Sequence, residues 1–369
     1  MEQGSNNTRQ REAMFHTLRE DFRRGDFFSS VRRDFHEARE FMIDEKGKNR
    51  LKEMSAPRQW LFTMGWLLKS VFFKLTPSRR LLLTAGIIML VISRMEVYSG
   101  NQLRIQADTS LAGIVCVLFV LMLELKDKLI AKDELKEGHA VQQALMPTGS
   151  PQLPGWDIWL FTRSANDVGG DLVDFIRVND DRFGVVLGDV AGKGLRAALL
   201  MAKLQASVRA LASDVASPVE LGQKLNAIFC RDSLRSIFAS LVYAELRPHS
   251  GEVRLLNAGH MPPMVVHGDS VQSLPKGGSA LGLMPSSEFK EYRVVLKPGD
   301  VLCVYSDGVT DAQGGAGNFF GESRLVEHLA GNGNLSAEEV GRKLVSEVDN
   351  FIGASPMFDD LSLALMRLV

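Results

Sequence analysis

The sequence predicts an α+β fold, in which antiparallel sheets carry helices on their outer faces behind a helical N-terminal region. Three observations lead to that reading. From about residue 155 the chain alternates short β-type runs with helical segments. Two of those runs, 237–246 and 252–258, follow one another across a turn at Pro248–Gly251 with no helix between them. Such a connection implies antiparallel pairing and argues against a doubly wound parallel sheet. Before residue 147 the pattern is helical throughout, and it is interrupted by two uncharged apolar blocks.

A chain of 369 residues is long enough for one large domain plus an accessory region. Its 45% apolar content and net charge of −1 exclude general disorder. Charge is spread unevenly: residues 1–80 hold 17 Lys and Arg against 11 Asp and Glu, which leaves the remainder acidic. A basic stretch suits nucleic acid or an anionic membrane face. The apolar segments beside it favour the membrane, and no nucleic-acid partner is expected. Cys116, Cys230 and Cys303 lie far apart with no CxxC spacing, so neither a disulfide framework nor a zinc site is expected. The polar start MEQGSNNTRQ lacks the apolar stretch of a cleavable signal peptide.

Taken in order, residues 1–80 form a basic, amphipathic helical region. Within it, 60–75 (WLFTMGWLLKSVFFKL) is an interfacial helix, rich in Trp and Phe but broken by Lys69 and Lys74. The blocks 81–93 and 111–123 are each about 13 residues, short of the roughly 20 a span needs. Their outer flanks are basic (Lys69, Lys74, Arg79, Arg80; Lys126, Lys128, Lys132), whereas the connection 94–110 is charge-balanced. Snorkelling side chains and this asymmetry predict a two-span transmembrane hairpin over 81–123 with both ends in the cytoplasm. Residues 124–146 read as a connecting, signalling helix that passes into the next domain without a Gly/Ser linker, with a homodimer as its simplest means of control. Pro147, Gly149, Pro151 and Pro154 close that helix and open a domain over 147–369.

In this domain the strand candidates include 183–189, 237–246, 252–258, 292–296, 300–306 and 361–368. Ser217-Pro218-Val219-Glu220 and Ser336-Ala337-Glu338-Glu339 each carry a helix-start signature.

Four acidic sites share one layout at strand–loop junctions: GGDLVDF (Asp171, Asp174), LGDVAGKG (Asp189), VYSDGVTD (Asp307, Asp311) and MFDDLSL (Asp359, Asp360). Any one of them alone is an ordinary turn former. Four in one domain converge if their strands pair centrally, and crowded carboxylates repel. No basic cluster is placed in the sequence to neutralise them, so an all-oxygen site for Mg²⁺ or Mn²⁺ is expected. The seven histidines show no paired spacing for zinc, and His260 in LNAGHMPP reads as a structural loop residue. GGDLVDF departs from the GGDEF signature of diguanylate cyclases at Leu172 and Val173. AGKGL lacks P-loop spacing, with Gly194 where Ser or Thr is required.

The ordered string GGDLVDF, GDVAGKGLRAALLMA, NAGHMPP, GDVLCVYSDGVTDA and DDLSLAL resembles the SpoIIE-type branch of the metal-dependent protein phosphatases over residues 139–369. That resemblance implies an αββα sandwich that hydrolyses phosphoserine or phosphothreonine with two Mn²⁺ or Mg²⁺ ions. It assigns Asp189 to bridge both ions, with the Val190 carbonyl as a further ligand. Asp171 serves one ion and Asp307 and Asp359 the other, with Asp360 the neighbouring candidate. It also implies a phosphorylated anti-sigma-factor antagonist as partner; together with the hairpin expected from the basic flanks, the reading is a catalytic domain on the cytoplasmic side of a bacterial inner membrane. Leu172-Val173 and Ser362 depart from the usual pattern but remove no acid. The competing readings are a non-catalytic, metal-dependent phosphoprotein-binding module and, further off, a diguanylate cyclase.

Overall fold

The structure, a computed structural model, describes residues 56–92, 97–99, 103–105, 109–147, 150–232, 237–315, 317–332, 334–353 and 355–369. Of the helical region expected over 1–80, residues 1–55 lie outside the described residues. The chain divides into two compact units, Met1–Lys128 and Leu129–Val369.

In the first unit, helix α1 (Ala56–Lys74) takes up the Trp/Phe-rich segment, and α2 (Pro77–Ile92) starts on a proline. Proline suits a first turn, where its missing N–H has no intrahelical partner. A short hairpin, β1 (Val97–Ser99) with β2 (Leu103–Ile105), leads to α3 (Ser110–Leu145). Glycines let α2 and α3 approach closely: a methyl group on Gly113 would sit 2.8 Å from the Gly86 carbonyl oxygen.

The expected two-span hairpin is corrected here. Among the described residues no helix is long and apolar enough to cross a membrane. Helix α2 has only 16 residues, and the apolar start of α3 runs directly into Glu124, Lys126 and Asp127. Arg79, read from sequence as a snorkelling flank, instead pairs with Glu124 and Asp127 at 2.7 Å each.

The second unit contains two antiparallel sheets. One holds β3 (Gln152–Leu153), β4 (Trp156–Arg163), β9 (Met264–His267), β10 (Ser270–Ser273), β12 (Val301–Tyr305) and β13 (Leu361–Leu368), in the order β10-β9-β12-β13-β4-β3. The other holds β5 (Asp171–Arg177), β6 (Phe183–Val190), β7 (Ala239–Leu246), β8 (Glu252–Ala258) and β11 (Glu291–Val295), in the order β11-β8-β7-β6-β5.

Alternating side chains sort each central strand between two cores. Val185 and Leu187 of β6, Leu302 and Val304 of β12, and Ala364 and Met366 of β13 meet in the inter-sheet layer. On the far face of the five-stranded sheet, Val186 and Val190 pack beside α4 (Leu195–Leu211) and α5 (Pro218–Asp232) through Met201, Leu204, Leu225 and Phe229. On the far face of the six-stranded sheet, Cys303, Leu363 and Leu365 pack beside α7 (Gly321–Asn332) and α8 (Ala337–Ile352). Between β12 and α7 stands a single turn, α6 (Asp307–Thr310). The layers run helix, sheet, sheet, helix.

Both helix-start signatures mark real starts. Ser336 and Glu339 form a full capping box at α8. At α5 the Glu220 amide donates to Ser217 Oγ (3.2 Å), while the Glu220 carboxylate accepts from Ala216 N rather than from the capping residue (3.0 Å).

Candidate metal centre

The antiparallel register of β5 and β6 places Asp171 opposite Asp189. Directly opposed residues sit about 5 Å apart at Cβ, so two carboxylates there share one field. From the other sheet, β12 delivers Asp307 at the start of α6, and the loop before its neighbour β13 delivers Asp359 and Asp360.

These acids act on one another electrostatically. Burial, then the charges of Asp189 and Asp360, hold the Asp171 carboxyl well above the ordinary range. Asp189 is raised to about 7 by burial, followed by Asp307, Asp359 and Asp360. Burial and then Asp359 and Asp311 raise Asp307. Asp171 is 4% exposed, and its Oδ2 has no hydrogen-bond partner.

Asp360 behaves differently from its neighbours. Its Oδ1 accepts from Ala165 N (2.7 Å) and its Oδ2 from Gly170 N (2.6 Å), so both oxygens hold the loop leading to Asp171. A side chain on Gly308 would run into the Asp360 carbonyl, which explains the glycine after Asp307. Asp359 is half-exposed and meets Lys193 Nζ at 3.2 Å. Lys193 also donates to Phe358 O (2.8 Å) and lies over the Phe358 ring. The Val190 carbonyl faces the same loop: a methyl group on Gly170 would sit 3.2 Å from it and 3.5 Å from Asp189 Oδ1.

Two acids grouped with these in sequence are placed differently. Asp174 is fully buried, and its carboxylate accepts from Arg209 (2.7 and 2.8 Å) and Gln205 (3.1 Å). The expectation that no base neutralises the acids therefore fails at Asp174 and Asp359. Arg209 could not be matched to Asp174 from sequence, because only helix packing brings the two together. Asp311 is exposed beside α6.

The end of α3 is also tied to the loop, which sequence reasoning missed. Gln142 Nε2 donates to Gly169 O (2.7 Å) and Gly169 N donates to Gln142 Oε1 (3.1 Å), two residues from Asp171.

Among the described residues no three acid, histidine or cysteine side chains form a ready-made cage. The donor set nonetheless fits a hard divalent cation. It is all oxygen, it includes a buried orphan at Asp171 Oδ2, and its members raise one another's affinity for protons.

Comparison with known proteins locates this arrangement. The family model for Stage II sporulation protein E (SpoIIE) matches residues 179–369. Protein IcfG of Synechocystis sp. is 28% identical over 271 residues, covering 65% of this chain and 42% of that protein. Phosphoserine phosphatase RsbU of Bacillus subtilis is 25% identical over 243 residues, covering 64% of this chain and 70% of that protein. The chain thus spans less than half the length of IcfG. Among solved structures, the SiaA-PP2C domain of Pseudomonas aeruginosa superposes with a TM-score of 0.57 at 22% identity, covering 66% of this chain and 99% of that domain, a likeness of fold.

Proposed function

The chain belongs to the SpoIIE family, and on that premise we propose that its second unit is a metal-dependent protein serine/threonine phosphatase. The observation that carries the reading is the facing set of carboxylates drawn from both sheets, with the orphaned Asp171 oxygen among them. Asp189, the Val190 carbonyl, Asp171, Asp307 and Asp359 would hold two Mn²⁺ or Mg²⁺ ions. When bound, such ions supply a water of lowered pKa and neutralise phosphoryl oxygens during in-line displacement.

The chain's own residues set the geometry. Asp171 and Asp189 come from adjacent strands in fixed register, so neither needs a loop motion to meet the other. Asp360 acts on the backbone, holding residues 165–170 beneath Asp171. Lys193 leaves a cation at the rim, within reach of Asp359, where a phosphorylated side chain would approach.

The substrate proposed is a phosphoserine or phosphothreonine of an anti-sigma-factor antagonist; the 25% identity with phosphoserine phosphatase RsbU supports the phosphoserine part of that reading. Turnover of p-nitrophenyl phosphate that requires Mn²⁺ and is abolished by EDTA tests the activity. Release of phosphate from a phosphoserine protein tests the substrate class. Retention of that protein without phosphate release favours the binding-module reading instead.

The proposal includes attachment to the cytoplasmic face of a bacterial membrane. The first unit supports it by leaving Leu81, Val91, Leu111, Val115 and Leu118 exposed on α2 and α3.

A further inference from the structure

Asp189 lies in one sheet and Asp307 follows a strand of the other, and the layer between those sheets is apolar. Apolar packing is non-directional and fixes a separation only loosely. At the acid end the carboxylates also repel, with Asp307 the first charge acting on Asp189. A directional contact would fix the spacing at that end.

His260 provides it. The residue lies where the chain leaves β8 in one sheet for β9 in the other. Its Nδ1 is 2.6 Å from Ser240 Oγ, and Ser240 is the register partner of Asp189 across β6 and β7. Its Nε2 is 3.1 Å from the carbonyl of Tyr305, two residues before Asp307. A carbonyl can only accept, so the ring proton sits on Nε2 and the Ser240 hydroxyl donates to Nδ1. One imidazole therefore bonds both sheets, opposite Asp189 in one and two residues before Asp307 in the other. The ring is itself held in place: His260 N donates to Asn257 Oδ1 (2.8 Å) and Asn257 Nδ2 donates to His260 O (3.2 Å). Gly259 has φ +71°, and a side chain there would strike the Ala280 backbone, so the turn that aims the ring tolerates no larger residue.

We propose that His260 is a positioning residue, a strut between the sheets that sets the spacing of Asp189 and Asp307 for the metal ions. The inference rests on the metal reading above. It assigns His260 no contact with substrate or metal; the residue acts through Ser240 and the Tyr305 backbone.

The test is Mn²⁺ titration calorimetry on the full chain and on His260→Phe, His260→Gln and Ser240→Ala, with thermal unfolding of each in EDTA. His260→Phe keeps the ring volume and loses both hydrogen bonds. Its Mn²⁺ affinity is expected to fall about tenfold, the lower end of what losing an outer-shell support costs. Ser240→Ala removes one bond without disturbing the ring and should show a smaller loss. His260→Gln, which keeps a donor toward Tyr305, should recover part of the affinity. If His260→Phe does not fold, Ser240→Ala and His260→Gln decide the question. A lower melting temperature in EDTA with unchanged Mn²⁺ affinity in the folded variants overturns the strut, since that is what a merely structural residue would do. No Mn²⁺ binding by the unaltered chain overturns the metal reading and the strut together, whereas binding that all variants share overturns the strut alone.

Discussion

Asp189 is half-buried among like charges, and this has consequences for stability as well as for metal. Its carboxyl is raised from 3.8 to about 7, so without metal the folded state favours the protonated form. That contribution is fully present below pH 4 and is lost as pH rises through about 7. At 1.36 kcal/mol per unit the loss is about 4 kcal/mol at most. In EDTA the melting temperature should therefore fall between pH 4 and 8, and Asp189→Asn should flatten the fall. An unchanged slope in Asp189→Asn would assign the effect to other groups. For the same reason Asp189→Ala and Asp307→Ala should each abolish Mn²⁺-dependent turnover while leaving the metal-free protein as stable as before or more so. Near-normal turnover by purified Asp189→Ala with Mn²⁺ would remove it from the centre. At this scale the acids were legible in the sequence because each follows or precedes an apolar strand. The separate fates of Asp359 and Asp360 were not: which carboxylate turns to Lys193 and which to the Ala165 and Gly170 amides depends on loops that meet only in the fold.

Helix α3 ends in a set of polar contacts that the sequence did not display. Its Leu145 carbonyl accepts from Gln205 Nε2 (2.7 Å), which also reaches Asp174, and Gln142 pairs with Gly169. The helix end is thus bonded to the loop before β5 on one side and to α4 on the other. Gln142→Ala leaves the Gly169 N–H and carbonyl without their buried partner, a cost of about 1–3 kcal/mol for each group left unpaired. We expect a lower melting temperature in EDTA together with weaker Mn²⁺ binding, because Gly169 lies two residues from Asp171. A loss of stability with Mn²⁺ affinity intact would confine Gln142 to fastening the helix. Ser336→Ala, at the capping box of α8, should cost about 1 kcal/mol and leave metal binding unchanged. Urea unfolding checks it. Strands buried on both faces were readable from their apolar runs, unbroken in β12 (VLCVY) and interrupted in β6 and β13 only by Asp189, Ser362 and Arg367 among polar side chains. Strands β4 and β5 were not picked out: WDIWLFTR mixes charge into its run, and DLVDFIR spends two of its seven positions on functional or paired acids.

The two units divide the properties of the chain between them. The second has three cores and both sheets, and it accounts for the acids. The first includes α1 and the pair α2 and α3, which leaves many apolar residues exposed, and no described helix in it is long and apolar enough to span: 13-residue blocks with basic flanks resemble short spans, yet Arg79 is engaged by Glu124 and Asp127. An apolar surface of that kind is unusual on a protein in water and marks a site of contact. Two causes of membrane attachment can then be separated. If the basic residues drive it, binding to anionic vesicles is lost in high salt, because exposed charges are screened. If the apolar faces of α2 and α3 drive it, the full chain floats with vesicles even in high salt, since burying an apolar side chain is worth about 1.5–3 kcal/mol whatever the ionic strength. Val91 and Leu118 are 68% and 59% exposed, so Val91→Lys and Leu118→Lys replace surface residues without opening a core. We expect the double variant to keep its phosphatase activity and its melting temperature and to lose flotation in high salt. Flotation unaffected by the two lysines would move the attachment off this helix pair, and flotation abolished by salt in the unaltered chain would assign it to the basic residues instead.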